Sequence, residues 1–121
     1  MSVSIITPVH TPVHGKFKKY SKMIEEIGIN LNQQSIKPKE WILICDKNSE
    51  WVKELKLPKF SNVLIAQKNN ISLKRNIALD NANGNFILFL DSDQIPSSKK
   101  LLEECLNKTK NGYDLLPIPE K

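Results

Sequence analysis

Two uninterrupted apolar runs, Trp41–Cys45 and Phe86–Leu90, constrain the fold of this chain more than any other feature of the sequence. Neither run alternates between apolar and polar residues, so the strand that each one forms must be buried on both faces. Strands of this kind occur where helices cover a parallel sheet from two sides. The runs therefore predict an α/β fold, with a mostly parallel sheet and helices on both faces.

The rest of the chain supplies the alternating elements that such a sheet needs. We predict strands, the first of them halted by Pro8, at Val3–Thr7, Trp41–Cys45, Asn62–Ala66 and Phe86–Leu90. Helical spacing predicts helices at Lys16–Gln33, at Ser49–Leu55 with Ser49 as the cap, from Ile71 to a left-handed stop near Asn83-Gly84, and from Pro96-Ser97 to Lys110. A further strand can begin at Tyr113–Leu116. The order βαβαβαβα predicts a single domain over residues 1–121.

Composition narrows the class of protein. The chain has 121 residues, of which 40% are hydrophobic and 26% charged, as in one compact soluble domain. No apolar stretch approaches the ~20 residues that span a bilayer, and the amino terminus resembles a strand rather than a signal peptide, so we expect a cytoplasmic location. The net charge of +5 comes from scattered lysines. This scatter favours a solvated surface over a nucleic-acid interface, and we expect no nucleic-acid partner.

The cysteines and histidines show no metal-binding or disulfide pattern. Cys45 ends an apolar strand and Cys105 lies on the apolar face of a helix, so both are expected in the core. His10 and His14 belong to a repeated Thr-Pro-Val-His segment whose prolines forbid a helix. We expect both histidines in an exposed loop, with His10 the nearer to a ligand.

Polar residues that follow the strands are the candidates for function, because ligands bind beyond the carboxyl ends of parallel strands, where the strand order reverses. Among them, Asp91 and Asp93 are separated by one residue after a rigid strand, so their carboxylates can converge on Mg²⁺ or Mn²⁺. Such an ion bridges to phosphate oxygens. The alternative is an ordinary polar turn. The other candidates at strand ends are Thr7, His10, Asp46, Lys47, Asn48, Gln67 and Lys68.

Two further side chains have a functional and a structural interpretation. Asp46 can accept hydrogen bonds from a base or ribose, or it can cap the helix that follows. Arg75 is the only arginine, and its planar fork suits phosphate, although it can also pair with Asp80 on a helix surface. The chain has no glycine-rich phosphate loop and no nucleophile elbow, which favours a metal as the means of holding phosphates.

Five segments in order resemble family 2 glycosyltransferases of the GT-A fold. They are Val3–Pro8, Leu31–Gln34, Ile44–Ser49, Asn69–Asn76 and, most closely, Ala82–Asp93. The resemblance implies a Rossmann-like, nucleotide-sugar-binding half of such an enzyme. It further implies a nucleoside pocket formed by Thr7, Pro8, Val9 and Asp46, with Arg75 near the base or diphosphate, Asp91 and Ser92 at the sugar nucleotide, and Asp93, with Asp91, at the metal.

The implied activity is metal-dependent, inverting transfer from a UDP- or GDP-sugar to an acceptor hydroxyl. The chain departs from the family at Lys47, where the second acid of an Asp-Asp-Gly-Ser motif is expected. The resemblance also ends before the acceptor half and its catalytic base. We therefore expect that the chain is a fragment, that a partner chain or a second copy supplies that half, or that catalysis has been lost. The alternative is a non-catalytic nucleotide-sugar-binding or assembly module. A basic nucleic-acid binder ranks last.

Overall fold

Five strands form one sheet in the order β3-β2-β1-β4-β5 in a computed structural model that describes residues 2–9, 17–68, 70–96, 98–107 and 115–117. Strands β1 to β4 are parallel, and β5 is antiparallel to β4. The elements are β1 (Val3–Val9), α1 (Phe17–Asn32), β2 (Glu40–Cys45), a 3₁₀ helix (Lys47–Glu54), β3 (Ser61–Ile65), α2 (Ile71–Asn81), β4 (Phe86–Phe89), α3 (Leu101–Asn107) and β5 (Leu115–Pro117). The predicted α/β fold is confirmed.

Neighbouring residues of each strand enter two separate cores. Trp41 and Ile42 are adjacent in β2 and both fully buried, but they belong to clusters on opposite faces of the sheet. The first cluster includes α1 and α3, and the second includes the small side chains Ala78 and Ala82 at α2. Helices therefore cover both faces, as the apolar runs predicted. Cys45 and Cys105 are both buried and free, also as predicted.

Strand β1 does not end at Thr7, and the prediction that Pro8 halts it is wrong. The strand continues to Val9 because β2 pairs with it through Pro8 and beyond, whereas pairing with β4 stops at Ile6. The carbonyl of Ile6 accepts from Leu90 and so faces β4. Backbone groups alternate in direction along a strand, so the nitrogen of Pro8, which carries no hydrogen, faces β4. The pairing of β1 with β4 has already ended at that point. The proline therefore removes no ladder hydrogen bond.

Helix α3 begins at Leu101, so the predicted start at Pro96-Ser97 is wrong. The carbonyls of Pro96, Ser98 and Lys99 accept hydrogen bonds from residues at the end of α1 and just beyond it. These contacts hold the segment against α1 and use the carbonyls that a helix would need. The predicted end of the helix near Lys110 lies outside the described residues.

Two predicted helix boundaries also differ from the structure. The 3₁₀ helix begins at Lys47 with Asp46 as its N-cap, and Ser49 lies inside it at a kink. Helix α2 ends with Ala82 in an extended conformation, without the predicted left-handed stop. Gly84 is required for a different reason, since a Cβ there would lie 2.7 Å from the backbone nitrogen of Ser4.

The segment that contains His10 and His14 lies outside the described residues, so the prediction for these histidines stays a prediction. Within the described ranges, no helix is long and apolar enough to cross a membrane. The cytoplasmic location and a possible dimer likewise stay predictions.

Candidate functional site at the carboxyl ends of the strands

The strand order reverses at β1, because β2 and β3 lie on one side of it and β4 on the other. A parallel sheet offers its ligand crevice at such a reversal. A cavity of about 330 Å³ opens there, next to the ends of β1 and β4. It is lined by Pro8, Tyr20, Ile71, Asp91, Ser92 and Asp93. The structure thus brings together four of the residues singled out in the sequence.

The acidic segment after β4 is held as a tight turn. The backbone N–H of Gln94 donates to the Asp91 carbonyl at 3.0 Å, and the Gln94 side-chain oxygen accepts from the Asp91 N–H at the same distance. Asp91 and Asp93 are both exposed to solvent. Because the turn satisfies its own backbone, both carboxylates remain available to a ligand.

The donor set suits a hard divalent cation bound together with a diphosphate. Asp91 and Asp93 line one cavity and offer only oxygen ligands. The described residues contain no group of three or more His, Cys, Asp or Glu side chains that could hold a metal alone. Mg²⁺ is commonly held by one or two carboxylates plus substrate phosphates and water. The two carboxylates therefore fit a metal that needs the nucleotide to complete its coordination.

Asp46 lies at the end of β2 and is only 4% exposed. One carboxylate oxygen accepts from the Asn48 N–H at 3.0 Å, so the capping interpretation is confirmed. The other oxygen lies 3.6 Å from the ammonium of Lys74, which also donates to the Val9 carbonyl at 2.8 Å. Asp46 does not line the cavity at Asp91.

Burial raises the pKa of the neighbouring Cys45 thiol to about 12, although the Lys74 ammonium acts in the opposite direction. Desolvation disfavours the charged thiolate more than the nearby ammonium favours it. Cys45 is therefore a protonated, inert thiol at neutral pH, and no chemistry is assigned to it.

The structure does not bring every predicted residue to the cavity. Thr7 is fully buried, and its hydroxyl accepts from the indole N–H of Trp41 at 2.8 Å. The side chain of Val9 is buried in the core beside α1. The guanidinium of Arg75 lies 5.2 Å from the ring centre of Phe89, a cation–π contact between α2 and β4, and Arg75 does not line the cavity.

Two other cavities are larger than the one at the strand reversal. One, of about 370 Å³, adjoins the first through Asp93 and is lined on its apolar side by Phe89, Ile95 and Pro96. A larger one, of about 530 Å³, lies along α1 and is lined by Lys19, Ser21, Lys22 and Glu25. Although it is larger, this cavity lacks two convergent carboxylates, so the candidate site is the cavity at Asp91 and Asp93.

Sequence reasoning missed three residues of this region. Tyr20 and Ile71 lie in the first turns of α1 and α2, and the rule that ligands bind at strand ends could have pointed to both. Lys74 is the third, since the predicted ligand contact in its segment, Lys74-Arg75-Asn76, was Arg75 alone. The available signal was its position four residues before Ala78, on the inward row of α2.

Comparisons with known proteins identify the family to which the chain belongs. Residues 4–116 match the profile of the family described as Glycosyl transferase family 2. The chain belongs to this family. It is 30% identical over 119 residues to UDP-Glc:alpha-D-GlcNAc-diphosphoundecaprenol beta-1,3-glucosyltransferase WfgD from Escherichia coli, covering 94% of this chain and 44% of the relative. The chain thus spans less than half the length of that relative.

Solved structures show the same fold. S. aureus TarS 1-349 in complex with UDP-GlcNAc superposes with a TM-score of 0.65 at 25% identity, covering 88% of this chain and 30% of TarS. The mannosyltransferase PcManGT from Pyrobaculum calidifontis, in complex with GDP-Man and Mn²⁺, gives a TM-score of 0.68 at 15% identity over 91% of this chain and 32% of the enzyme. The GT-A fold implied by the sequence motifs is therefore confirmed.

Proposed function

We propose that this chain is the donor-binding half of a glycosyltransferase that uses a UDP- or GDP-sugar. The observation that carries the proposal is the cavity at the strand reversal, where Asp91, Ser92 and Asp93 converge in a family 2 chain. The two relatives whose names or complexes include a UDP-sugar, WfgD and TarS, support a UDP-sugar donor. Because PcManGT is in complex with GDP-Man, a GDP-sugar is the second donor to test.

The residues around the cavity have distinct roles in this proposal. Asp93, with Asp91, would hold Mn²⁺ or Mg²⁺, and Asp91 would also accept from a ribose hydroxyl. Pro8 and Val9 end the strand that would support the nucleoside, and Asp46 would accept from the base. Arg75, held over Phe89, would approach the base or diphosphate from α2.

The proposed reaction is the inverting transfer of the sugar to an acceptor hydroxyl. The bound metal would offset the negative charge that develops on the departing diphosphate. The turn closed by Gln94 would keep the Asp91 and Asp93 carboxylates in place, so that little reorganisation is needed during the reaction. Loss of the acceptor proton requires a base. We do not assign this role to the donor-site carboxylates, because they face the diphosphate in the proposal.

Calorimetric titration of UDP-Glc, UDP-GlcNAc and GDP-Man, with and without Mn²⁺, tests the proposal. We expect one donor to bind in a metal-dependent manner, and we expect Asp93→Asn to weaken that binding by about tenfold or more. Changing only the hydrogen-bond partners of metal ligands already lowers metal affinity by about 10- to 100-fold, and the loss of a ligand should cost at least as much.

The matched control is Glu26→Gln, which removes an exposed carboxylate from α1 far from the cavity. It should bind the donor as the unchanged chain does. Metal-dependent binding that survives Asp93→Asn would contradict the metal site, and a chain that binds no donor would contradict the proposed function.

A further inference from the structure

Lys74 is a buried cation in a row of α2 that otherwise carries small apolar side chains. It lies four residues before Ala78 and eight before Ala82, and these three residues face the sheet. Only 2% of its surface is exposed. A buried ammonium is costly unless it is paired and hydrogen-bonded, so its partners indicate what the position is for.

Two partners of Lys74 lie at the ends of two central strands. Its ammonium donates to the carbonyl of Val9, the last residue of β1, and lies 3.6 Å from the carboxylate of Asp46, which directly follows β2. The ion pair is nearly dry, because the two side chains are 3% and 5% exposed. Lys74 thus connects α2 with both strand ends on the side where the proposed donor would bind.

Contacts to both of its carboxylate oxygens orient Asp46. Its other oxygen accepts from the Asn48 N–H, so the carboxylate is fixed between the 3₁₀ helix and α2. The next residue, Lys47, is exposed and has no acceptor atom. Of these two charged residues after β2, Asp46 is therefore the one with acceptor atoms, and the proposed function assigns the base to it.

We propose that Lys74 is a positioning residue that determines base selectivity by holding the Asp46 carboxylate in place as a hydrogen-bond acceptor. This inference rests on the proposed function. An acceptor selects uracil or guanine, whose ring N–H groups donate, over cytosine or adenine, whose corresponding ring nitrogens accept. Without the ammonium, the Asp46 carboxylate would be buried and uncompensated, and it would turn toward water and leave its position.

The test compares nucleotide selectivity across four variants in the presence of Mn²⁺. The measured quantity is the ratio of the dissociation constants of CDP and UDP, or of ADP and GDP if the unchanged chain prefers GDP. The variants are Lys74→Met, Lys74→Arg, Asp46→Asn and the double variant Asp46→Asn/Lys74→Met. Lys59→Met, which neutralises an exposed lysine in the turn before β3, is the matched control. Circular dichroism and thermal unfolding establish that each variant is folded at the temperature of the titration.

We expect Lys74→Met to lower the selectivity ratio about tenfold or more, which is the scale of a lost hydrogen bond to a charged group. Lys74→Arg should retain most of the selectivity, and Lys59→Met all of it. The double variant removes both charges, so it tests the coupling even if Lys74→Met alone folds poorly. It should be no less selective than Asp46→Asn, because both changes remove the same acceptor.

Unchanged selectivity in folded Lys74→Met would overturn the role of Lys74 and leave the proposed function intact. Independent, additive losses in the double variant would overturn it as well. If the unchanged chain binds no nucleotide, the proposed function and the role of Lys74 both fail.

Discussion

Gly84 occupies a position where any side chain would collide with the first strand. A Cβ there would lie 2.7 Å from both the backbone nitrogen and the Oγ of Ser4. The Gly84 N–H also donates to that Oγ at 2.8 Å, so the two segments of the chain are already in contact. We expect Gly84→Ala to lower the free energy of unfolding by about 1–3 kcal/mol, the usual cost of overpacking, as measured by chemical denaturation.

A double variant identifies which atom is responsible. Ser4→Ala removes the Oγ but leaves the equally close backbone nitrogen, so Ser4→Ala/Gly84→Ala should remain less stable than Ser4→Ala alone. Equal stability of these two variants would show that the side chain of Ser4 was the only obstacle.

At the same scale, the sequence predicted the site in part. Asp91 and Asp93 were recognisable because they follow a strand that is apolar on both faces, and such a strand leads to the ligand edge of the sheet. Thr7 also lies near the end of a strand. Its side chain lies on the same face of β1 as those of Ile5 and Val9, however, and it is therefore buried in the core. The burial of Lys74 could be inferred from its place in the row of Ala78, but its partners could not, because nothing local shows that they come from two distant strands.

At the scale of the elements, Gln34 connects α1 with α3. It is 3% exposed, and its amide nitrogen donates to the Ser98 carbonyl at 2.7 Å. Its oxygen accepts from the Leu102 N–H, one of the backbone groups that a helix start leaves without an intrahelical partner. We expect Gln34→Ala to lower the free energy of unfolding by about 2–4 kcal/mol, because these buried groups lose their partner.

Gln33→Ala is the matched control, since Gln33 is the adjacent, exposed glutamine. Its effect should stay within about 0.5 kcal/mol. Denaturation of the two variants under the same conditions gives the comparison, and similar losses would show that α3 does not depend on Gln34.

The elements that were predicted well are those whose signal is local. Strands β2 and β4 follow from their apolar runs alone, and their cores lie where the pattern indicated. The end of β1 and the start of α3 depend on distant partners, namely the point where β4 stops pairing and the hydrogen bonds from the end of α1. A pattern of single residues carries no information about such contacts.

At the scale of the whole molecule, burial in the central sheet keeps the Cys45 thiol away from water. We therefore expect the free energy of unfolding to fall as pH rises through the alkaline range. Burial raises the pKa of Cys45 to about 12, whereas a thiol in the unfolded chain titrates near its ordinary value of 9.0. Below the unfolded value the thiol is protonated in both states and contributes no pH dependence. Between the two values the unfolded chain loses a proton that the folded chain retains, so the free energy of unfolding falls as pH rises, by at most about 1.4 kcal/mol per pH unit.

Lysines and tyrosines also titrate in this range, so the informative quantity is the difference in free energy of unfolding between the unchanged chain and Cys45→Ala. We expect that difference to be constant up to about pH 8 and to shift against the unchanged chain from there to about pH 12. Cys105→Ala serves as the control, because burial raises the pKa of that thiol as well but the site is less enclosed. Parallel stability curves for the unchanged chain and Cys45→Ala would mean that water reaches the end of β2, and the dry ion pair of Asp46 and Lys74 beside it would then be open to solvent too.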